Sequence, residues 1–499
     1  MSESPRALPD ATSVLQSIAR GEQTAEQVVE RHLARLHQWQ PRINAATTVF
    51  DQEAIAQARD PRPGPLCGLP MSIKETVGLA GHPITAGSMR MPPLIPARDA
   101  IAVTRLRSAG AIVIARSNVP EFAMAGETDN PRFGCSNNPL DLDRTCGGSS
   151  GGEGALVASG CVAAGLGSDI LGSIRIPASF CGVVGFKPGS GAIPKRDSWP
   201  DLSGFFTDSW LALGPIARSV RDVRLLYQVL SEQTLPAPAP IAGCRLLMPE
   251  GFPLRCRDPV IGEAMTAASD GLAAAGMKAD RRKLGDVPAW YRHMSRYLAW
   301  ELAPLLKSGL TTADGSEFSL LRESLARLRG GGEIYEGLYR LLMVGPLLRY
   351  RRASSAAGAR LLLETARAQV RQRLDADGIL LLPTIGVLAP AHGDMNRLSL
   401  RPGVNGLMTP LTLCNYLDLP AITVPAWRHR DPATGLVPGI MLASAPGAEG
   451  LLLDVAMVLE SIVGLPPPAQ CPGSAPGTAA DGVSKNDPDS RPRTQAYGD

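Results

Sequence analysis

The sequence predicts an α/β fold, and three observations carry that prediction. Short apolar runs bounded by Gly, Pro or Asn alternate with stretches at helical spacing, so that strand, helix and strand follow one another. Apolar residues make up 44% and charged residues 19%, ordinary globular values that exclude wholesale disorder. The 499 residues include 52 glycines and 44 prolines, which favours many loops and close backbone contacts over a helical bundle.

The elements follow in order. Asp10 and Thr12 stand where a helix would be capped, and Val14, Leu15 and Ile18 recur at helical spacing up to Gly21. A second helix is predicted over 24–38, with Val28, Val29, Leu33 and Leu36 on one side and Pro41 beyond its end. Residues 69–77 and 112–114 read as buried strands, and 100–109 between them as a helix closed by Gly110. Further on, 219–230 is an amphipathic helix and 244–248 a strand. Residues 290–374 are mostly helical, rich in Leu and Arg and broken at Gly330, Gly331 and Gly332. Strand character returns at 378–383 and 419–425, and a helix over 450–462 closes the folded part. This gives one domain over 1–464, with 290–374 as a helical insert or cap. Residues 465–499 have too little apolar area to offset their ordering entropy and are expected to form a disordered tail.

A net charge of +3 carries no whole-chain signal for nucleic acid or an anionic membrane. The start, MSESPRALPDATS, has no apolar core and does not read as a secretory signal. No stretch approaches the roughly 20 apolar residues of a spanning helix. Nine cysteines, an odd number without a CxxC pair, argue against a zinc cluster or disulfide framework. The expectation is a soluble, cytoplasmic protein. The basic stretch GLYRLLMVGPLLRYRR could dock on an anionic membrane, but a packed helix with solvated arginines is the preferred reading.

The densest segment is TCGGSSGGEGALVASGCVAAGLGSDILGSIRIPASFCGVVGFKPG. It holds two serine sites, Ser149-Ser150 among four glycines and Ser173 behind Gly172. Glycines beside a serine permit unusual backbone angles and let N–H groups approach a ligand, so a hydroxyl held there can act as a nucleophile. A nucleophile elbow fits GxSxG, with His392 or His429 as base, but needs an apolar strand where NNPLDLDRTC reads as loop. A phosphate loop lacks its Lys-Ser or Lys-Thr, since Lys187 is followed by Pro188. Cys135, Cys146 and Cys181 have no histidine close in sequence and read as small core residues. A third reading takes its base from GLPMSIKETVGLAG, where alternation puts Pro70, Ser72, Lys74 and Thr76 on one strand face, opposite Leu69, Met71 and Ile73. Partial burial there would lower the lysine pKa and make a neutral amine available.

These segments, with GPIARSVRD, ILLLPTIGVLAP and LPAITVPA, resemble the amidase signature family of serine hydrolases, from near the start to about Gly464. The resemblance implies a central mixed β-sheet flanked by helices on both sides. It also implies hydrolysis of a small-molecule carboxylic amide to an acid and ammonia or an amine, through a Ser–cisSer–Lys triad. Ser173 corresponds to the nucleophile, Ser149 to the relay behind a non-proline cis peptide, and Lys74 to the base. The backbone N–H groups of Ile170, Leu171, Gly172 and Ser173 correspond to the oxyanion hole, Ser150 to a supporting hydroxyl and Met124 to an acyl-pocket contact. Asp169 and Arg175 match charges that hold the nucleophile loop. The mechanism requires no metal or other cofactor, and a homodimer is compatible with it. The resemblance equally admits the glutaminase (A) subunit of a tRNA-dependent amidotransferase. Two departures stand out: Gly189 replaces a usual threonine, and Leu171 a usual glycine. If that second position were left-handed, leucine would cost about 1 kcal/mol or more and tilt a donor, leaving a silent binding protein; otherwise it would merely narrow the pocket.

Overall fold

The computed structural model describes residues 9–253, 256–310, 317–395, 397 and 405–465. The expected tail, from residue 466 on, lies outside the described residues. Thirteen strands are found among these: β1 (Ala46–Val49), β2 (Pro70–Lys74), β3 (Ile112–Ser117), β4 (Asn137–Asn138), β5 (Asp141–Thr145), β6 (Ala164–Asp169) and β7 (Val184–Lys187). They continue with β8 (Ala212–Ala217), β9 (Arg245–Pro249), β10 (Lys278–Arg282), β11 (Gly378–Pro383), β12 (Ala421–Pro425) and β13 (Gly439–Ala443). Eleven form one sheet in the order β1-β3-β2-β6-β8-β7-β12-β13-β11-β9-β10. The sheet is mixed: β2 runs parallel to both β3 and β6, whereas β8 lies antiparallel between β6 and β7.

Helices cover both faces, as the alternation of each strand requires. Met71 and Ile73 of β2, Leu381 of β11 and Leu442 of β13 pack with the helices Val220–Ser231 and Glu449–Val463. Their neighbours Leu380, Leu382 and Met441 point the other way, into helices Val287–Gly309 and Ala353–Leu374. That second face carries the helical segment expected over 290–374, which starts at Val287 and is interrupted where Gly330 turns left-handed (φ +81°). In helix Glu336–Leu348, Leu338 is buried and Arg340 pairs with Glu336. Among the described residues no helix is long and apolar enough to cross a membrane.

Two local expectations need correction. The second helix runs Ala25–Ile43 and carries Pro41 in its last turn, because buried Trp39 and Ile43 hold that turn against the core. The stretch NNPLDLDRT is the hairpin β4–β5, paired by itself and apart from the main sheet.

The sheet makes room for its helices through small residues. A Cβ at Gly165 of β6 would lie 1.9 Å from Glu153 Oε2 of helix Gly151–Ala158. Gly358 of helix Ala353–Leu374 faces open space instead. In urea unfolding, Gly165→Ala is therefore expected to lower the free energy of unfolding by about 1–3 kcal/mol, and Gly358→Ala to raise it by about 0.5–1 kcal/mol.

Candidate active site

The carboxyl ends of two parallel strands meet at the site, where ligands of open α/β sheets characteristically bind. Lys74 ends β2 and, with Ser72, faces away from the Met71 and Ile73 side. It is fully buried, more than the sequence suggested, because β2 is enclosed by β3 and β6. Its Nζ donates to Ser149 Oγ at 2.7 Å and to the Ser168 carbonyl at 3.4 Å. Burial outweighs the pull of Asp169, Glu153 and Glu75 and brings the ammonium pKa down to about 7.

Ser149 follows a cis Gly148–Ser149 peptide. Gly148 is pressed against the main chain of the preceding loop, where a Cβ would lie 2.6 Å from the Ala125 carbonyl oxygen. The next residue, Ser150, donates its N–H to the Ser173 carbonyl at 3.0 Å, fastening the two serine sites together. Its hydroxyl donates to the Ser168 carbonyl at 3.2 Å. Exposure then ranks the hydroxyls: Ser173 8%, Ser149 2%, Ser150 0%. Ser173 is the one best placed to meet a molecule entering from solvent.

The loop from β6 to helix Arg175–Cys181 is held by one carboxylate. Asp169 accepts the N–H of Gly172 at 2.7 Å and of Ile174 at 3.1 Å, the Arg175 guanidinium at 3.0 and 3.1 Å, and the Asn415 amide at 2.9 Å. Burial alone would raise its pKa, but the Arg175 charge and these donors hold it well below the usual carboxylate range. Gly172 takes a left-handed φ of +110° with Leu411 against it, so a side chain there would clash. Its N–H is already committed to Asp169, whatever the resemblance implied for it. Leu171 has an ordinary negative-φ backbone and packs, half-buried, with Met124 against the helical segment's core. The strain that the leucine could have caused is absent at this position.

Met124 sits on a loop where Phe122 and Ala123 are both left-handed (φ 54° and 52°), and the Phe122 N–H is held by the Ala86 carbonyl at 2.7 Å. The helical segment is tied to this loop. Tyr335 donates its N–H to Glu121 at 2.6 Å and its hydroxyl to Glu127 at 2.7 Å.

The competing readings fare differently. Among the described residues, neither His392 nor His429 hydrogen-bonds to these serines. His392 instead lies 3.2 Å from Cys135 Sγ, a pairing invisible in sequence because 257 positions separate the two. Burial and the nearby Asp129 and Glu127 push that thiol up to about 12, so it stays protonated. Lys187 is buried and donates to the Pro188 carbonyl at 3.0 Å. No group of three or more His, Cys, Asp or Glu is arranged for a metal among the described residues.

The comparison with known proteins decides the family. The Amidase family model matches residues 27–453. The chain belongs to the amidase signature family. It is 32% identical over 469 residues to AtzE, the 1-carboxybiuret hydrolase subunit of Pseudomonas sp. (strain ADP), covering 90% of this chain and 97% of that one. It is also similar to one subunit of the Glutamyl-tRNA(Gln) amidotransferase of Oleidesulfovibrio alaskensis, at 29% over 506 residues, 92% of this chain and 98% of that one. A crystal structure of an amidase superposes with a TM-score of 0.75 at 28% identity, over 91% of this chain and all of the other.

Three residues in contact with this candidate site were not expected from the sequence. Ser168 offers its carbonyl to both Lys74 and Ser150, and Asn415 braces Asp169 and Arg175. Glu153 is the third, and it did leave a signal, as a lone acid in the apolar run GGEGALVA. Gly172→Ala is expected to slow labelling by a fluorophosphonate probe about 10²-fold by displacing the backbone N–H groups around Ser173. Leu171→Ala is expected to label at close to the wild-type rate.

Proposed function

We propose that this chain hydrolyses a small-molecule carboxylic amide through an acyl-enzyme on Ser173. The observation that carries the reading is the hydrogen bond from the buried Lys74 amine to the Ser149 hydroxyl, with Ser173 fastened alongside. Lys74 stands at the edge of its neutral form near pH 7 and can take a proton. Ser173 Oγ attacks the carbonyl carbon while its proton moves to Ser149 Oγ and the Ser149 proton moves to Lys74 Nζ. The oxyanion faces the N–H groups of Ile170, Leu171 and Ser173, with left-handed Gly172 setting the turn. The C–N bond then breaks, and Lys74 returns the proton through Ser149 to the leaving nitrogen. Water then attacks the ester carbonyl, giving its proton through Ser149 to Lys74, and Lys74 returns that proton through Ser149 to Ser173 Oγ as the ester bond breaks and the acid leaves. Met124 and Leu171 form part of the wall for the acyl group, and the cytoplasm is the compartment, in keeping with eight unpaired cysteines among the described residues.

A second reading has its own support, because AtzE and the amidotransferase relative are both named as parts of larger enzymes. It predicts a stable complex with other chains on purification. A monomer or homodimer that is active alone favours the simple amidase.

Ser173→Ala is expected to abolish fluorophosphonate labelling and ammonia release from a panel of simple amides. Lys74→Ala should lower kcat/KM by about 10²–10⁴ with the melting transition retained. Because the base must be neutral, kcat/KM should rise with pH through a midpoint close to 7. An acid limb that persists unchanged in the residual activity of Lys74→Ala would exclude Lys74 as the base.

A further inference from the structure

One buried acid beside the triad takes part in no step above. Glu153 lies in the first turn of helix Gly151–Ala158 and is wholly enclosed. Its side chain reaches β2, where Oε2 accepts the Ser72 hydroxyl. β6 leaves space for it at Gly165, the residue paired with Ser72, where a Cβ would lie 1.9 Å from Oε2. The hydroxyl of Ser117 on β3 lies against the same carboxylate and, with Ser72, favours its charged form. A buried carboxylate met only by neutral hydroxyls is costly unless it is protonated or faces a cation. The cation is two residues beyond Ser72 on the same face of β2, about 7 Å along the strand: Lys74.

The other charged groups around this pair are already engaged. Asp169, at the end of β6, is held by Arg175, Asn415 and two backbone N–H groups. Glu75 accepts from Thr85 and Ala86. Arg116 of β3 donates to the carbonyls of Pro83 and Glu75. Lys187 of β7 donates to the Pro188 carbonyl, and β8 carries no titratable side chain.

We propose that Glu153 is a positioning residue for Lys74, its charge, parked by Ser72 and Gly165 on the strand face that carries the amine, setting how tightly the base holds the proton that Ser149 hands it. The inference rests on the reading of Lys74 as the base. No proton passes to Glu153 during turnover; it acts through its field. Burial pushes its carboxyl up to about 7 while burial brings the Lys74 amine down to about 7, and each charge favours the other, so both titrate in the range where the enzyme would work.

Glu153→Gln keeps the shape and the acceptor for Ser72 but removes the charge. An NMR titration of carbon-labelled lysine follows the Lys74 Cε resonance directly, assigned by its loss in Lys74→Ala. The Lys74 midpoint is expected to fall by about one pH unit in Glu153→Gln and to return toward wild type in Glu153→Asp. The acid limb of kcat/KM should move down by the same amount. An unchanged Lys74 midpoint in a folded variant overturns the proposal, with no reference to activity. A shifted Lys74 midpoint with an unmoved kinetic limb would instead refute the assignment of Lys74 as base and leave the coupling standing. If Glu153→Gln does not fold, Ser72→Ala gives the same reading. Losing its donor makes the carboxylate easier to protonate, so the Lys74 midpoint should again fall, by less, and an unmoved midpoint again overturns the proposal.

Discussion

Enclosing a primary amine at the carboxyl end of β2, without a carboxylate in direct hydrogen bond to it, is the constraint on which the rest of the site depends. In water the lysine would hold its proton far above neutrality and could accept no other. Here the loss of hydration outweighs three carboxylates that act at a distance. A direct ion pair would have reversed that balance and fixed the charged form. The sheet supplies the enclosure, since β2 lies inside it with parallel neighbours on both edges and helices on both faces.

The hydroxyls around this amine must also be held in place, and the glycine-rich segment would not hold them unaided. The Asp169–Arg175 pair supplies that rigidity. Both are fully buried, and their remaining donors and acceptors are met by backbone groups of the loop that carries Ser173 and by Leu411 and Asn415. Such a pair is weak evidence for stability, but a strong means of selecting one loop conformation. Leu171 fits within it because the left-handed turn falls one residue later, on Gly172.

The helical segment from Val287 to Leu374 bears on specificity through the same loop. Its core includes Ile170, and Leu171 and Met124 pack against it, so the loop before Ser173 and the helices share one packed cluster. Tyr335 then joins the helices to Glu121 and Glu127 on the strand-connecting loop. Substitutions among these helices can thus reach the site through packing, without touching the three hydroxyl and amine groups.

Much of this was legible in the sequence. Period-two alternation in β2 placed Ser72 and Lys74 together, opposite Met71 and Ile73, and the strand found over Gly378–Pro383 has the expected bounds. The two serine–glycine clusters marked the site. Less legible were β6 (AGLGSD) and β8 (ALGPIA), which lack the β-branched alternation of a recognisable strand because crossing chains leave no room for a side chain at Gly165, Gly167 and Gly214. Local spacing determines which side chains share a face, and that much belongs to the sequence. The hydrogen bond between residues 75 positions apart, the complete burial of Lys74 and the bridge from Glu153 to Ser72 were decided by tertiary structure. Desolvation depends on what encloses a group from every side, and no stretch of chain encloses itself.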